Sequence, residues 1–577
     1  MVCSAYRRLA WLLTQWPAQF VARLLNHWPV LLLSLGLVGA GLPAAAQNPD
    51  PRLPAAVAEA LAKAQLPAEA LAAVVLPSTR LGPRWLWQAD RAMQPASTMK
   101  LLTSMVALDR LGPNHRGFTE LLTSAPQQGD VLAGELVLRG GADPELSLAQ
   151  LWHLLAELRH TLGIREIAGD IVIDRTLFRP QRPELGLPPF DELPEFPYNV
   201  VPDALQLNGS LMRLEISSEI DPAAPAVGPL VRARTLPPLP DLVIDASALR
   251  LSERACKDWE LDWVSPPLID EPLPGTLRVR LQGGFPKDCS QRPSLQLIDR
   301  QALVERQLRW LWVSLGGEWR GRAREAERAL IAPLGQAALA LSSLASAPPP
   351  PLPGSAVVAP GVARAGHVGA MPAGMRLLAS HQARPWGEVL RTLNKQSDNA
   401  FSRMLYLSLG LPAMADAPGV PTAELADREV RRWLAERRIN TAGMVLDNGS
   451  GLSRSERLTP RQLALALQSA QQGRWAAELM MSLPIAGVDG TLRNRLKTGP
   501  AAGLARLKTG TLRNVTALAG VVQDPQGRPW TVVAMINHEQ ASKGRPALDA
   551  LVDWVAGGGL SQRGGANGEA VPASEPR

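Results

Sequence analysis

The chain has 577 residues, of which 46% are hydrophobic and 20% are charged, and its formal net charge is +7. Roughly 100 to 200 residues per domain predict two to four domains, with enough apolar residues for a large core. Basic residues are scattered and alternate with acidic ones, so no basic stripe indicates a nucleic-acid surface. Composition therefore favours a multidomain globular protein with a mildly basic, solvated surface.

Residues 1–46 have the composition of an export signal. Arg7, Arg8 and Arg23 come before or just ahead of an apolar run that begins at Trp28, and no acidic residue occurs among them. The run ends in three alanines before a polar segment, which predicts cleavage after Ala46. It is interrupted by prolines and glycines and is short for a membrane span of about 20 residues. We expect a cleaved signal peptide and a periplasmic location; the long leader leaves an internal start, an uncleaved anchor or peripheral membrane association open.

The first elements after the leader predict a helix, a hairpin and a second helix. "AAVAEALAKAQLPAEALAAVVL" has the spacing of an amphipathic helix that leads into a strand ending near Leu76. "STRLGP" has turn residues and "RWLWQAD" predicts the returning strand. In "MQPASTMKLLTSMVALDRLG" the apolar residues follow helical spacing, with Pro95 and Ser97 as start signals. Residues 47–110 are thus the predicted first part of a domain.

From about Leu111 the pattern changes to short strands and turns, as in "GELVLRGG" and "GTLRVRLQGG". It predicts one or more inserted strand-rich domains over 111–354. The Pro-rich segment "SAPPPPLPG" from Ser346 can form neither a helix nor a central strand, so 346–354 is a predicted linker or surface loop.

Helical periodicity resumes in "PWGEVLRTLNKQSDNAFSRMLYLSLG" and "TAELADREVRRWLAERRI". "NVTALAGVVQ", "DPQGRP" and "WTVVAMINH" then predict a hairpin, and a last helix follows. Strands near both ends of the chain, each flanked by helices, could share one sheet. We therefore expect a multidomain α+β fold in which 47–110 and 355–556 form one split domain with an antiparallel sheet. The Gly- and Ser-rich residues 557–577 are a predicted disordered tail.

Three cysteines bear on the redox compartment. Cys3 leaves with the predicted signal, which leaves Cys256 and Cys289 as an even pair. In an oxidising compartment such a pair predicts a disulfide. No histidine, carboxylate or cysteine cluster has metal-ligand spacing, so we expect neither a metal nor another cofactor.

An S-x-x-K motif, Ser97-Thr98-Met99-Lys100, stands at the start of the second predicted helix. A helix that begins at Ser97 puts residues i and i+3 on one face, so the Lys100 amine can reach the Ser97 hydroxyl. A lysine serves as a base when burial and neighbouring cations lower its pKa. Ser97 is a candidate nucleophile and Lys100 its base, although alone the motif also fits an N-cap serine followed by a surface lysine.

An S-x-N motif, Ser397-Asp398-Asn399, lies between two predicted helices. Ser397 could relay a proton toward a leaving amine, and Asn399 could donate to a substrate carbonyl. The same segment fits a helix cap in which Ser397 or Asp398 bonds backbone amides. A capping role does not exclude a catalytic one.

The tetrapeptide Leu-Lys-Thr-Gly occurs twice, ending at Gly499 and at Gly510. Acyl transfer through a tetrahedral intermediate needs backbone N–H donors for the oxyanion, and the residue after the glycine can be one of them only if it has an N–H. In the first copy that residue is Pro500, which has no N–H. In the second it is Thr511, and a well-patterned strand follows.

The second copy is therefore the predicted functional K-T-G motif. Lys508 and Thr509 are placed to bind a terminal carboxylate, and Gly510 allows close approach of the backbone. The first copy is predicted to be an exit from a helix into a loop.

Together and in this order, the three motifs resemble those of low-molecular-mass penicillin-binding proteins of the D-alanyl-D-alanine carboxypeptidase/endopeptidase type. The resemblance covers nearly all of the chain after the leader. It extends to "GGADPELS" around Asp143, "FPYNVVPDALQLN" from Phe196, "GSGLSR" from Gly449, "LPIAGVDGTLRNR" from Leu483 and "KTGTLRNVTALAG". The long insert between the first two motifs separates the chain from class A β-lactamases.

The resemblance implies a penicillin-binding/β-lactamase-like serine transferase domain that acts on peptidoglycan stem peptides. It implies acylation of Ser97 by the penultimate D-Ala carbonyl with Lys100 as base, hydrolysis of the acyl-enzyme by water, and acylation by β-lactam antibiotics. Lys508 and Thr509 would hold the substrate carboxylate. The Ser97 and Thr511 amides would form the oxyanion hole.

Similar enzymes also bind the free end of a diaminopimelate side chain with an acidic residue of the insert and an arginine. The candidates here are Asp191 or Glu192 for the acid and Arg454 for the arginine. Asn448 stands before "GSGLSR", where the family often has aspartate, and so departs from the family pattern.

Two other functions fit parts of the same sequence. A β-lactamase-like or esterase activity would use the same motifs and differ in rapid deacylation. A non-catalytic cell-wall binding protein would have no need of intact catalytic residues. The preference between carboxypeptidase and endopeptidase activity stays open.

Overall fold

A computed structural model describes residues 52–79, 84–218, 230–327 and 374–560. The helices in these ranges are α1 (Ala55–Lys63), α2 (Met99–Arg110), α3 (Leu148–Ala156), α4 (Arg300–Ser314), α5 (Trp386–Gln396), α6 (Asn399–Ser408), α7 (Thr422–Glu436), α8 (Pro460–Gln471), α9 (Ala476–Ser482) and α10 (Arg545–Ala556). The first strands are β1 (Leu71–Pro77), β2 (Trp85–Trp87), β3 (Phe118–Thr123), β4 (Gln127–Gln128), β5 (Val131–Leu132), β6 (Leu136–Gly141), β7 (Glu166–Ile167) and β8 (Ile171–Asp174). They are followed by β9 (Met212–Ser217), β10 (Arg232–Thr235), β11 (Leu242–Asp245), β12 (Leu249–Ser252), β13 (Trp263–Leu273), β14 (Thr276–Pro286), β15 (Ser290–Gln291) and β16 (Ser294–Leu295). The last are β17 (Glu318–Trp319), β18 (Ala323–Glu325), β19 (Arg376–Gln382), β20 (Ala505–Leu512), β21 (Val515–Gln523) and β22 (Pro529–Asn537).

A five-stranded sheet in the order β2-β1-β22-β21-β20 unites the two ends of the chain. Every neighbouring pair in it is antiparallel. The sheet leaves β20, which carries the second K-T-G copy, at one edge. The expected α+β architecture with an antiparallel sheet flanked by helices is confirmed.

Helices cover both faces of this sheet, so its central strands are buried on both sides. Alternate residues of a strand point to opposite faces. Ala517 and Ala519 of β21 pack in the cluster formed with α2 and α5 to α9, and Leu518 and Val522 pack in the cluster formed with α1 and α10. Burial on both faces explains why β21 is a continuous apolar run and not an alternating one.

The described residues of the insert form four smaller sheets. Their strand orders are β18-β8-β6-β3-β19, β17-β7-β5-β4, β10-β9-β15 with β16 also on β9, and β11-β14-β12 with β13 also on β14. Helices α3 and α4 pack in one core with the first two sheets. A second core surrounds Trp259, Trp263 and Phe285. Buried clusters of their own thus lie among these strands and helices.

Strand β19 bears on where the insert ends. It pairs antiparallel with β3, and its partners run from Arg376 opposite Thr123 to Gln382 opposite Phe118. A strand in a sheet of the insert belongs to the insert. We therefore propose that the chain returns to the split domain at about residue 383 and not at 355.

Several expectations fall outside the described residues. These are the signal peptide 1–46, the Pro-rich segment 346–354 and all but the first residues of the tail 557–577. Within the described residues no helix combines the length and the hydropathy that crossing a bilayer requires. Helix α10 ends at Ala556, where we expected the split domain to end.

A disulfide joins Cys256 and Cys289, whose Cα atoms are 5.3 Å apart. Cys256 begins a 3-10 helix, and Cys289 lies just after β14. Both half-cystines pack in the core that contains Trp259. The bond therefore fastens a turn of the insert to its long β13–β14 hairpin.

Replacing both cysteines, Cys256→Ser with Cys289→Ser, should lower the stability of the insert. The bond closes a loop with a sequence separation of 33. Such a loop constrains the unfolded chain by about 3 to 4 kcal/mol in the chain-entropy treatment. Urea unfolding followed by tryptophan fluorescence should show an earlier midpoint in the double variant than in the oxidised parent. An unchanged midpoint would contradict this expectation.

Candidate active site

Ser97 lies in a short 3-10 turn, Ala96–Thr98, that leads directly into α2. Ala96 has a φ of 47°, a left-handed conformation that turns the chain sharply before the helix. One helical turn after Ser97, the Lys100 Nζ donates to the Ser97 Oγ at 3.0 Å. The S-x-x-K motif therefore has the predicted local geometry.

The Lys100 amine is fully buried, with 0% of the residue exposed. It also donates to Asn399 Oδ1 at 2.6 Å and to the Ser450 carbonyl oxygen at 2.5 Å. Burial lowers the pKa of Lys100 well below its usual value, and the nearby charge of Lys508 lowers that pKa further. A lysine in these surroundings can lose its proton and act as a base.

The S-x-N motif connects α5 to α6. Ser397 ends α5 in a left-handed conformation with a φ of 63°, and Asp398 caps α6 by accepting from the Phe401 N–H at 2.8 Å. The central residue therefore caps the helix and its two neighbours point into the site. The Asn399 Oδ1 accepts a hydrogen bond from the Lys100 Nζ, and the Asn399 Nδ2 donates to the Tyr198 carbonyl oxygen at 2.9 Å.

The second K-T-G copy supplies the other buried amine. Lys508 is 0% exposed, and its Nζ donates to Ser397 Oγ at 2.8 Å and to the Thr509 carbonyl oxygen at 2.9 Å. Burial lowers the pKa of Lys508 to about 7. Lys497 of the first copy is exposed, in a turn after the 3-10 helix Gly490–Leu492. The structure therefore brings the second copy, and not the first, to the two serines.

Gly510 and Thr511 lie on the open edge of β20. The Leu507 N–H points away from the sheet, toward the Pro484 carbonyl oxygen at 2.9 Å. Since N–H groups alternate sides along a strand, the Thr511 N–H also points outward. A Cβ on Gly510 would lie 3.1 Å from the Ser97 nitrogen, so glycine permits the approach. Gly510 thereby lets the edge of β20 that carries Thr511 approach the turn that carries Ser97.

The structure also brings in a residue to which we assigned no role. Thr509 Oγ1 donates to Thr491 Oγ1 at 2.8 Å. Thr491 belongs to the segment "LPIAGVDGTLRNR", which the resemblance singled out without a function. The Asp489 carboxylate in the same segment accepts from the Lys395 Nζ at 2.6 Å, two residues before Ser397. This segment therefore links the S-x-N loop to the K-T-G strand.

The two candidates for binding a substrate side chain, Asp191 and Arg454, lie at the loop 190–199. Arg454 donates to the Phe190 carbonyl oxygen at 2.7 Å, and its guanidinium lies 5.1 Å from the centre of the Phe190 ring. Asp191 accepts from the Tyr198 hydroxyl and from Asn199 Nδ2, each at 2.9 Å. The structure thus gathers Asp191 and Arg454 at one loop, which also reaches Asn399 through Tyr198. The exposed neighbour Glu192 has no role in these contacts.

Three contacts of the site escaped the sequence interpretation. They are the carbonyl oxygens of Ser450 and Tyr198 and the buried carboxylate of Glu456. Ser450 and Tyr198 lie in segments that the resemblance marked, but main-chain acceptors have no signature of residue type. Glu456 follows "GSGLSR" closely, and no pattern singled it out.

No metal ligands were expected from the sequence. Among the described residues, no group of three or more histidine, cysteine or acidic side chains could hold a metal ion.

The fold is similar to that of penicillin binding protein 4 (dacB) from Haemophilus influenzae. The two structures superpose with a TM-score of 0.64 at 22% sequence identity, covering 86% of this chain and 97% of that one. At this level of identity the likeness establishes the fold alone.

Sequence comparison with curated proteins extends over most of the chain. It is 30% identical over 496 residues to the D-alanyl-D-alanine carboxypeptidase of Actinomadura sp. (strain R39), covering 84% of this chain and 80% of that one. It is 25% identical over 454 residues to D-alanyl-D-alanine carboxypeptidase DacB of Haemophilus influenzae, covering 77% and 80%. The D-Ala-D-Ala carboxypeptidase 3 (S13) family matches residues 53–349 and 358–557. The chain belongs to this family of serine peptidases.

Proposed function

We propose that the protein is a serine-type D-Ala-D-Ala carboxypeptidase, with DD-endopeptidase activity, that acts on peptidoglycan stem peptides through an acyl-enzyme on Ser97. One observation carries the proposal: the buried Lys100 amine bonds the Ser97 hydroxyl, and the buried Lys508 amine bonds the Ser397 hydroxyl beside it. Two serine–lysine pairs can move protons to and from one reacting carbonyl.

Acylation begins when neutral Lys100 takes the proton of the Ser97 hydroxyl. The Ser97 Oγ attacks the carbonyl carbon of the penultimate D-Ala, and the Ser97 and Thr511 N–H groups stabilise the oxyanion. Collapse of the tetrahedral intermediate breaks the C–N bond. The leaving amine takes a proton from the Ser397 hydroxyl, which the Lys508 ammonium resupplies.

Deacylation returns the enzyme to its starting state. The Lys100 ammonium first gives its proton, by way of the Ser397 hydroxyl, to the Lys508 amine, so that Lys100 is neutral and Lys508 is charged again. Water then loses a proton to Lys100 as its oxygen attacks the ester carbonyl, and the same two N–H groups stabilise the second oxyanion. The bond between the carbonyl carbon and the Ser97 Oγ then breaks. The proton passes from Lys100 back to Ser97, which regenerates the hydroxyl.

Substrate recognition depends on charges at two places. A terminal carboxylate binds at Lys508 and Thr509, next to the free edge of β20, where an ammonium and a hydroxyl can both donate. Asp191 and Arg454, at the loop 190–199, bind the amino and carboxylate end of a diamino-acid side chain. In a carboxypeptidase reaction the leaving group is D-Ala, and in an endopeptidase reaction it is the cross-linking amine.

The named relatives support this assignment. The proteins of Actinomadura and Haemophilus influenzae are D-alanyl-D-alanine carboxypeptidases. Penicillin binding protein 4 of Haemophilus influenzae has been solved in complex with a β-lactam. We infer that β-lactams acylate Ser97 here, that peptidoglycan is the substrate, and that the enzyme works in the periplasm after export, with peripheral association at the membrane.

Ser97→Ala should abolish acylation by penicillin, because it removes the hydroxyl that Lys100 is placed to activate. Intact-mass spectrometry of the parent incubated with penicillin should show an added penicilloyl mass, mapped to Ser97 by peptide digestion. Persistence of the adduct in Ser97→Ala would overturn the assignment. Turnover of the drug in seconds by the parent would favour a β-lactamase-like activity instead.

The two K-T-G copies offer a matched pair of variants. Lys508→Ala should lower kcat/KM for a peptide ending in D-Ala-D-Ala by about a hundredfold, since it removes a buried partner of the substrate carboxylate. Lys497→Ala, in an exposed turn, should change kcat/KM by less than about twofold. Release of D-Ala measures both. The reverse ranking would assign function to the first copy.

The activity should depend on pH through both lysines, with an acid limb from Lys100 and an alkaline fall from Lys508. Lys100 must be neutral to accept a proton, so kcat/KM rises as pH increases through the lowered pKa of Lys100. Lys508 must be charged to bind a carboxylate, so kcat/KM falls as pH increases through its pKa of about 7. Arginine keeps its charge throughout this range, so Lys508→Arg should lose the alkaline fall but keep the acid limb. An alkaline fall that persists in Lys508→Arg would assign it to another group.

A further inference from the structure

The Lys100 amine has two fixed acceptors besides the nucleophile. Asn399 Oδ1 lies 2.6 Å from Nζ and the Ser450 carbonyl oxygen lies 2.5 Å from it. A neutral amine has two N–H bonds and one lone pair. When the two acceptors take the two N–H bonds, the lone pair is left for the Ser97 O–H, 3.0 Å away. The Ser450 carbonyl therefore helps to aim the base.

The loop that supplies this carbonyl is held firmly against α2. The Gly449 carbonyl oxygen accepts from Thr103 Oγ1 at 2.7 Å and from Ser402 Oγ at 2.8 Å. Gly451 has a φ of 83°, and a Cβ there would lie 1.9 Å from the Ala96 carbonyl oxygen. The backbone on both sides of Ser450 is thus packed directly on the turn and the helix that carry Ser97 and Lys100.

The Glu456 carboxylate binds the backbone of the same loop. Its Oε1 accepts from the Asn448 N–H at 3.1 Å and from the Gly449 N–H at 2.9 Å. Glu456 is 0% exposed, and its Oε2 has no hydrogen-bond partner. Within the part of the chain that the structure describes, it forms no ion pair at contact distance. A buried carboxylate left half satisfied is costly for stability, and such costs are concentrated at functional sites.

We propose that Glu456 is a positioning residue for Lys100: it fixes the Gly449–Ser450 backbone whose carbonyl aims the amine, and its carboxylate offsets part of the positive charge of Lys508 at that amine. The inference rests on the proposed function, because it concerns the base of that reaction. Glu456 contacts neither Ser97 nor the expected position of the substrate, so it acts only through Lys100.

Four charged groups face Lys100 from the elements around it. Lys508 on β20 and Arg403 on α6 lower the pKa of Lys100, whereas Asp398 at the start of α6 and Glu456 raise it. Burial raises the pKa of Glu456, and the two backbone N–H bonds act in the opposite direction. If the Glu456 charge is removed, two cations still disfavour the charged form of Lys100, and of the two anions only Asp398 remains to favour it.

Glu456→Gln separates charge from shape. Its amide oxygen can still accept from the two backbone N–H groups, while the charge is gone. The acid limb of kcat/KM for acylation by a chromogenic cephalosporin should move to lower pH by about half a unit or more, because the Lys100 pKa falls when a negative charge is removed. Glu456→Ala, which also releases the loop, should lower the plateau by about tenfold or more.

Asp143→Asn is the matched control. Asp143 is also a fully buried carboxylate with an oxygen that lacks a hydrogen-bond partner, but it lies in the insert, 3.5 Å from His381. Its pH profile should superpose on that of the parent. A thermal melt of each variant establishes that it is folded, and Glu456→Gln carries the test if Glu456→Ala does not fold.

The outcomes separate this inference from the proposed function. If the parent forms no adduct on Ser97, the proposed function fails. If the parent is acylated at Ser97 and the Glu456→Gln profile superposes on the parent profile, only the role of Glu456 is overturned. The role of Glu456 would also be overturned if the acid limb of kcat/KM moved by the same amount in Glu456→Gln and in Asp143→Asn. The loss of any buried carboxylate would then explain the shift.

Discussion

Two buried lysine amines govern this site. Lys100 and Lys508 are both 0% exposed, and the charge on one disfavours the charge on the other. An ammonium can be held away from water only where oxygens accept its N–H bonds, so each amine requires a set of acceptors in fixed places. Burial and the neighbouring charge of Lys508 lower the pKa of Lys100 so far that this lysine can be neutral. Burial lowers the pKa of Lys508 to about 7. The division between a base and a carboxylate anchor follows from that difference.

The acceptors come from segments far apart in the chain, and this ties the insert to the chemistry. Tyr198 of the insert accepts from Asn399 Nδ2 at 2.9 Å, and Val200 accepts from Arg403 Nη1 at 3.0 Å. Further along, Arg179 donates to the carbonyl oxygen of Met414 at 2.7 Å. The insert therefore forms one wall of the site, and its loop constrains the asparagine that in turn orients the base.

The sequence predicted those parts of the site that local geometry determines. A helix beginning at Ser97 places Lys100 beside Ser97 wherever the helix lies in the fold. Pro500 has no N–H, and this alone argues against a function for the first K-T-G copy. The contacts of Ser450 and Tyr198 were not predictable in this way, because a carbonyl oxygen is common to every residue type. The strand β19 was missed for a related reason, since its partner β3 lies more than 200 residues earlier and a strand alone does not identify its sheet.

Part of the negative charge near Lys100 comes from a residue that its position in the sequence does not indicate. Asn448 stands where the family often has aspartate, so comparison at that position alone indicates a lost negative charge. The structure places the Glu456 carboxylate 3.1 Å from the backbone nitrogen of the same Asn448. The Gly449 amide is therefore bound by an acidic residue that lies seven positions later in the chain. Because electrostatic interaction depends on distance and burial and not on position in the sequence, an anion supplied from behind the loop can serve the base as well as one supplied from its start.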